Sequence, residues 1–104
     1  MSENRLSDYR VTDPYTGRVV QEFPTATDDE VRAAIERAHA AYEPWRSTPL
    51  AERAAILGRA ADAFASRSRE LAEIIRTEMG KPLGQGVFEA EFSGEIVQYY
   101  ADNA

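Results

Sequence analysis

From Val31 to Tyr100 the apolar residues return every three or four positions, and a few breakers cut that rhythm into pieces. A 3.6-residue period held this long leaves little chain for sheet, because each segment must bury one helical stripe. Val31, Ala34, Ile35, Ala38, Ala41, Tyr42 and Trp45 form the first stripe. Thr27-Asp28-Asp29-Glu30 opens it as a capping box, with the threonine hydroxyl and the glutamate each satisfying a backbone N–H at the helix start. Pro44 lacks the N–H a helix interior needs, so the pattern predicts a helix over 28–43.

Thr48-Pro49 opens the second helix, threonine as N-cap and proline at the first helical position. Leu50, Ala54, Leu57, Ala61 and Phe64 carry its stripe, which Leu71 and Ile75 resume in phase. Ser66-Arg67-Ser68-Arg69 interrupts it, and Ser68 reads as a new N-cap with Glu70 in the turn behind. The expected helices are therefore 49–66 and 69–79. Gly80 reads as a left-handed terminator, and Pro82 as the start of a last helix over 82–102. Lys81 lies near the negative end of the preceding helix. In that last helix Leu83, Val87, Ala90, Val97 and Ala101 mark one face, with Phe88, Phe92, Ile96, Tyr99 and Tyr100 beside it. The band is too wide for one neighbour. Gly84, Gly86 and Gly94 weaken the helix, and glycines that keep a helical period permit close approach of another element.

Before the helices, Tyr9 and Val11 lead into Asp13-Pro14-Tyr15-Thr16-Gly17, followed by Val19, Val20 and Phe23. This spacing predicts a β-hairpin over 9–23, after a polar and loose stretch over 1–8. The fold class is thus mostly α with an N-terminal hairpin. The chain's 104 residues suffice for one small domain, too little for a cofactor-binding and a substrate domain together. A net charge of −6 argues against nucleic acid or an anionic membrane surface as partner. No apolar run approaches a membrane span, the start MSENRLSDYR has no signal-like apolar region, and there is no cysteine. A cytoplasmic address fits these features.

Candidate chemistry is thin. His39, the single histidine, has no nucleophile or second ligand at a useful spacing, so an exposed helix residue is the better reading. Glu91 and Glu95 share a helical face, but Glu89 stands apart, which suits a solvated face. Asp28, Asp29 and Glu30 are explained by capping. Gly84-Gln85-Gly86 follows a helix and lacks the third glycine of a dinucleotide fingerprint. Arg5, Arg10 and Arg18 are interspersed with acids and make no basic patch. Trp45 reads as a packing anchor beside Pro44. The residues supply no catalytic set, no cofactor-binding residue and no metal ligand.

The order of these motifs resembles the amino-terminal part of the NAD(P)-dependent aldehyde dehydrogenase superfamily. Asp13-Pro14-Tyr15-Thr16-Gly17 stands where that family has an Asn-Pro-x-Thr-Gly turn, with Asp for Asn. Trp45, Arg53 and Leu57 match its spaced Trp, Arg and Leu. Glu78, Gly80, Lys81 and Pro82 match Glu-x-Gly-Lys-Pro, and Tyr99-Tyr100-Ala101 matches Tyr-Tyr-Ala. The wording "EMGK" and "YYADNA" is most similar to the succinate-semialdehyde dehydrogenase-like branch.

The resemblance implies a segment of an α/β, Rossmann-like domain whose partner is the remainder of the parent enzyme. In that parent the catalytic cysteine, the general-base glutamate and the oxyanion-stabilising asparagine come later, and NAD or NADP oxidises a small aldehyde. The parent would be a homo-oligomer. The chain alone would bind no cofactor and have no dehydrogenase activity. Phe88, Phe92, Ile96 and Tyr100 would await strands from later sequence. Some family members hold a monovalent cation, which by position would fall between the Thr12 carbonyl and Glu89. The competing expectation is a stand-alone helical interaction module, with Trp45 and the tyrosines as its contact patch.

Overall fold

Glycine and proline set the corners of the chain. In the computed structural model, which describes residues 7–104, strand β1 (Tyr9–Thr12) pairs antiparallel with β2 (Val19–Phe23). Asp13 organises the loop between them. Its carbonyl accepts from the Gly17 N–H at 2.8 Å, its own N–H donates to Arg18 O at 2.8 Å, and Oδ1 accepts from the Tyr15 N–H at 2.8 Å. Gly17 takes φ +72°, where a Cβ would be strained. Tyr9 faces Phe23 and Val11 faces Gln21, but Thr12 faces Val19, so the register slips by a bulge at Val20. Most of the stretch expected to be loose lies outside the described residues. Its described end is held: Ser7 donates its N–H to Glu22 and its hydroxyl to Phe23 O.

Helix α1 (Asp28–Ser47) starts with both bonds of the capping box, Glu30 N–H to Thr27 Oγ1 and Thr27 N–H to Glu30 Oε2. It does not stop at Glu43. Proline removes one N–H bond but leaves its carbonyl free to accept, and in a final turn that loss is tolerated. Here the Thr48 hydroxyl donates to Pro44 O at 3.0 Å and the Thr48 N–H to Trp45 O at 3.0 Å, closing the helix beyond the proline. Thr48 therefore ends α1 and does not cap α2 (Leu50–Ser66). Pro49 occupies that cap, its carbonyl accepting from the Glu52 and Arg53 N–H groups.

Ser68 is likewise no cap. A single residue, Arg67, separates α2 from α3 (Ser68–Met79): its N–H closes α2 on Ala63 O, and its carbonyl opens α3 by accepting from the Leu71 N–H. Arg67 thus takes the cap position one residue ahead, and Ser68 is itself the first helical residue. Gly80 then ends α3 with φ +78° and an N–H bond to Arg76 O. Helix α4 (Leu83–Asp102) begins one residue after Pro82, which serves as its cap.

Small residues draw three of the helices together. A Cβ placed on Gly86 would lie 3.1 Å from Ala72 Cα, and one on Gly94 would lie 3.0 Å from Phe64 Cβ and 3.2 Å from Ala61 O. The α2–α3 rod and α4 thus run antiparallel, backbone close to backbone. Among the described residues the buried hydrophobic ones are Ala61, Ala72 and Ala90, and no large side chain is fully buried. Among the described residues α1 packs against no other element, while β1 leans on α3.

The result is a slab, 57 × 41 × 14 Å. An α-helix with side chains is about 10–12 Å across, so the slab is one helix thick. The radius of gyration is 18.5 Å, against about 13 Å for a compact domain of this length. The accessible surface is 8478 Å² for 11.6 kDa, where a closed globular chain of that mass exposes about 5800 Å².

Candidate functional site

The two sharpest corners of the chain meet. Pro14 of the hairpin turn lies against Gly80, close enough that a Cβ on Gly80 would come within 3.0 Å of Pro14 Cγ. Around this contact Asp13, Tyr15, Arg76, Lys81 and Pro82 line a cleft of about 440 Å³. Lys81, half-buried at the entry to α4, donates from Nζ to Glu89 Oε2. The pair braces the Gly80-Lys81-Pro82 corner against the first turns of α4. Sequence reading assigned Lys81 no partner, because Glu89 is eight positions away across a turn and no helical spacing links them.

The bracing also fixes the surroundings of Glu89. Thr12 ends β1 at the bulge, and the Glu89 carboxylate already receives an ammonium group. A cation approaching Glu89 would compete with Lys81. Among the described residues no group of three or more His, Asp or Glu side chains is placed to hold a metal.

The other sequence candidates scatter. His39 is exposed on α1. Glu91 and Glu95 line an open groove with Ala61, Asp62, Ala65 and Gln98, on the solvated side of the α2–α4 seam. Gly84-Gln85-Gly86 lies at the start of α4, where Gly86 is covered by Ala72 and serves packing. Asp28, Asp29 and Glu30 form the first turn of α1. Arg10 donates to Ser7 O, while Arg5 lies outside the described residues. Trp45 is 43% exposed near the end of α1. Arg67 and Glu70 form a surface pair at 2.6 Å. The Arg67 hydrogen bond and charge hold the Glu70 carboxyl below the usual carboxylate range.

The large apolar residues of α4 tell more. Phe88 is 68% exposed and Tyr100 61%, with Phe92, Ile96 and Tyr99 also open to solvent. Phe88 and Phe92 stack in parallel, centroids 6.1 Å apart, and Tyr99 meets Tyr100 edge-on at 5.3 Å. Aromatic residues in such number on one face mark a surface that another element covers. Residues 1–104 match the aldehyde dehydrogenase family model. The chain belongs to the aldehyde dehydrogenase family.

Its relatives are much longer. An NADP+-dependent succinate-semialdehyde dehydrogenase of Deinococcus radiodurans is 42% identical over 94 residues, 90% of this chain and 20% of that protein. Among solved structures, succinic semialdehyde dehydrogenase from Streptococcus pyogenes in complex with NADP+ superposes with a TM-score of 0.84 at 35% identity, over 90% of this chain and 21% of that one. An NAD-dependent benzaldehyde dehydrogenase from Corynebacterium glutamicum gives 0.83 at 32% identity, over 96% and 21%. This aldehyde dehydrogenase chain thus spans about one fifth of the relatives it matches, their N-terminal part. A dinucleotide fingerprint opens a helix after a strand and carries a third glycine. The G-x-G that could suggest one follows a helix, and its second glycine is filled by Ala72.

Proposed function

We propose that this chain is the N-terminal segment of the cofactor-binding domain of an NAD(P)-dependent aldehyde dehydrogenase. The intact enzyme would oxidise a small aldehyde of the semialdehyde class to its acid. One observation carries this reading: a slab one helix thick exposes Phe88, Phe92, Ile96, Tyr99 and Tyr100 on α4 and, among the described residues, buries only alanines and glycines. Such a surface supports a role as the outer layer over strands supplied by the rest of the enzyme, since helices of α/β proteins cover sheet faces. A self-sufficient interaction module would first close a core of its own.

In this reading the segment contributes no reacting group. Its work is to cover, space and orient. The Gly86 and Gly94 contacts set the distance between helices, and Pro14 on Gly80 fixes the hairpin to the helical layer. Nucleophilic attack on the aldehyde, hydride transfer and thioester hydrolysis belong to residues outside this stretch.

A chimera tests the proposal. The corresponding segment of the Deinococcus radiodurans relative is replaced by this chain, and NADP+ reduction is followed with succinate semialdehyde. The expected result is a soluble, active chimera, while the 104-residue chain alone reduces no cofactor and binds an apolar dye. A sharp cooperative melt of the chain alone without dye binding, or a chimera that fails to fold where the relative folds, would overturn it.

A further inference from the structure

Helix α4 carries Glu89, Glu91, Glu95 and Asp102 but neither lysine nor arginine, so its own charge is entirely negative. Among the described residues, the ion pair on this helix is the one that Lys81 Nζ makes with Glu89 Oε2. The corner where that pair forms gathers negative potential from three sources. Helix α3 ends there, and beyond Arg76 O, which accepts from the Gly80 N–H, its last carbonyls have no intrahelical donor. Asp13 lines the same cleft as Lys81, its Oδ1 accepting from the Tyr15 N–H. Glu89 lines a second cleft of about 460 Å³, with Gln85, Phe88 and again Lys81. Lys81 therefore forms the wall shared by the two clefts, one for each carboxylate. Arg76 also lines the first cleft, but it is exposed, so water and salt screen its charge.

We propose that Lys81 is the built-in counter-cation of this corner, so that no dissolved monovalent cation is held at Glu89 while the ammonium is present. This goes beyond the reading of the chain as a dehydrogenase segment, and it replaces the cation expected by position between Thr12 and Glu89. The donor set does not fit an added ion. Glu89 already receives a full positive charge from a side chain only 27% exposed. A cation that took its place would leave a half-buried ammonium without a partner.

A lysine suits this task because its ammonium is a compact point charge with three donors, the nearest a side chain comes to an alkali ion. The backbone fixes its position in advance. Gly80, at φ +78°, packs on Pro14 before it, and behind it the Pro82 carbonyl accepts from the Gln85 and Gly86 N–H groups. A dissolved ion would have to order the corner as it bound, whereas Lys81 meets a corner already ordered. Without the ammonium, Glu89 and the negative end of α3 would share the corner with no fixed counter-charge. The corner would then become a place for an alkali ion.

The test melts the chimera in potassium chloride and in choline chloride at equal ionic strength, with the Glu89→Gln chimera as the background for cation effects elsewhere. With Lys81 present, the two salts should give the same melting temperature against that background. Lys81→Met should melt several degrees lower in choline chloride and regain part of the loss in potassium chloride. Lys81→Met combined with Glu89→Gln should show no such recovery, because the charge that attracts the ion is gone. Crystals soaked in rubidium chloride should show an anomalous peak at Glu89 in Lys81→Met and none while Lys81 is present. Rubidium at Glu89 beside an intact Lys81, or a potassium effect there that Glu89→Gln abolishes, would overturn the proposal. So would a Lys81→Met chimera that melts like its parent, or one whose loss potassium leaves untouched, since Lys81 would then be an ordinary brace. A chimera that does not fold counts against the dehydrogenase reading, and the same salts are then compared on the 104-residue chain by proteolysis of the hairpin. Lys81→Met should be cut faster in choline chloride than in potassium chloride, and equal cutting would overturn the counter-cation.

Discussion

Helices α1 and α4 are equally long and both carry apolar stripes, yet they live differently in the fold. Helix α4 approaches α2 and α3 through glycine and alanine, burying Gly86, Ala90 and Gly94 while its aromatic residues face outward. Helix α1 buries nothing: Val31, Ile35, Tyr42 and Trp45 are all exposed, and among the described residues no other element packs on it. The contrast separates two jobs that an apolar stripe can perform. Small residues set distance within the layer, and large residues are held back for whatever covers it. Local bonds alone keep α1 helical, whereas α4 also has close backbone neighbours.

If that division is right, substitutions in the seam of α4 should cost far more than substitutions on α1. The largest effect is expected from Gly94→Leu in the chimera. A Cβ there already crowds Phe64 and the Ala61 carbonyl, and overpacking of this kind costs about 1–3 kcal/mol or more. Urea unfolding followed by helix signal measures it. An unchanged midpoint would show that α4 is not held against α2. Gly80→Ala comes next: φ +78° and a 3.0 Å approach to Pro14 combine left-handed strain of about 1–2 kcal/mol with a clash. Its partner readout is proteolysis of the hairpin, which should speed up as the turn lifts from the corner.

Thr27→Ala removes the capping box of α1 and should cost about 1 kcal/mol. Because α1 has no packing partner here, amide exchange should rise in its first turns and leave α4 untouched. A rise spread evenly over both helices would blur the comparison. Gly84→Ala carries the opposite sign. Nothing lies within 4 Å of a Cβ there, so the helix gains up to about 1 kcal/mol of propensity, where a side chain at Gly94 loses. The smallest effect belongs to Glu70→Gln. Arg67 lowers the folded-state pKa of Glu70, so its contribution is present above the unfolded carboxylate range. It is lost as pH falls through the lower, folded value. The variant should therefore differ from the parent at neutral pH, converge with it in acid, and lose the difference in high salt because the pair is exposed.

Helix boundaries were legible where one local bond decided them. The capping box at Thr27 and the left-handed Gly80 are set by groups within four residues, and each stands where the residues place it. Thr48 and Ser68 misled because each cap falls one residue away: Thr48 closes α1 beyond Pro44 and leaves the cap of α2 to Pro49, while Arg67 takes the cap of α3 ahead of Ser68. Glycines inside α4 announced a close approach, but not its target. Ala72 and Ala61 became their partners only once α3 folded back beside α4. Lys81 with Glu89 was invisible for the same reason, since the pair depends on what lies across a turn.

By itself the sequence determined the elements and the family: hairpin, helices, and motif order all follow from short-range bonds and residue identity. Only the tertiary structure decided which stripes close on each other and which stay open. Burial depends on the distance between helices, and here that distance is set by small side chains meeting across it. Those contacts bring Gly86 to Ala72 and Gly94 to Ala61, and they leave the aromatic face of α4 turned to solvent.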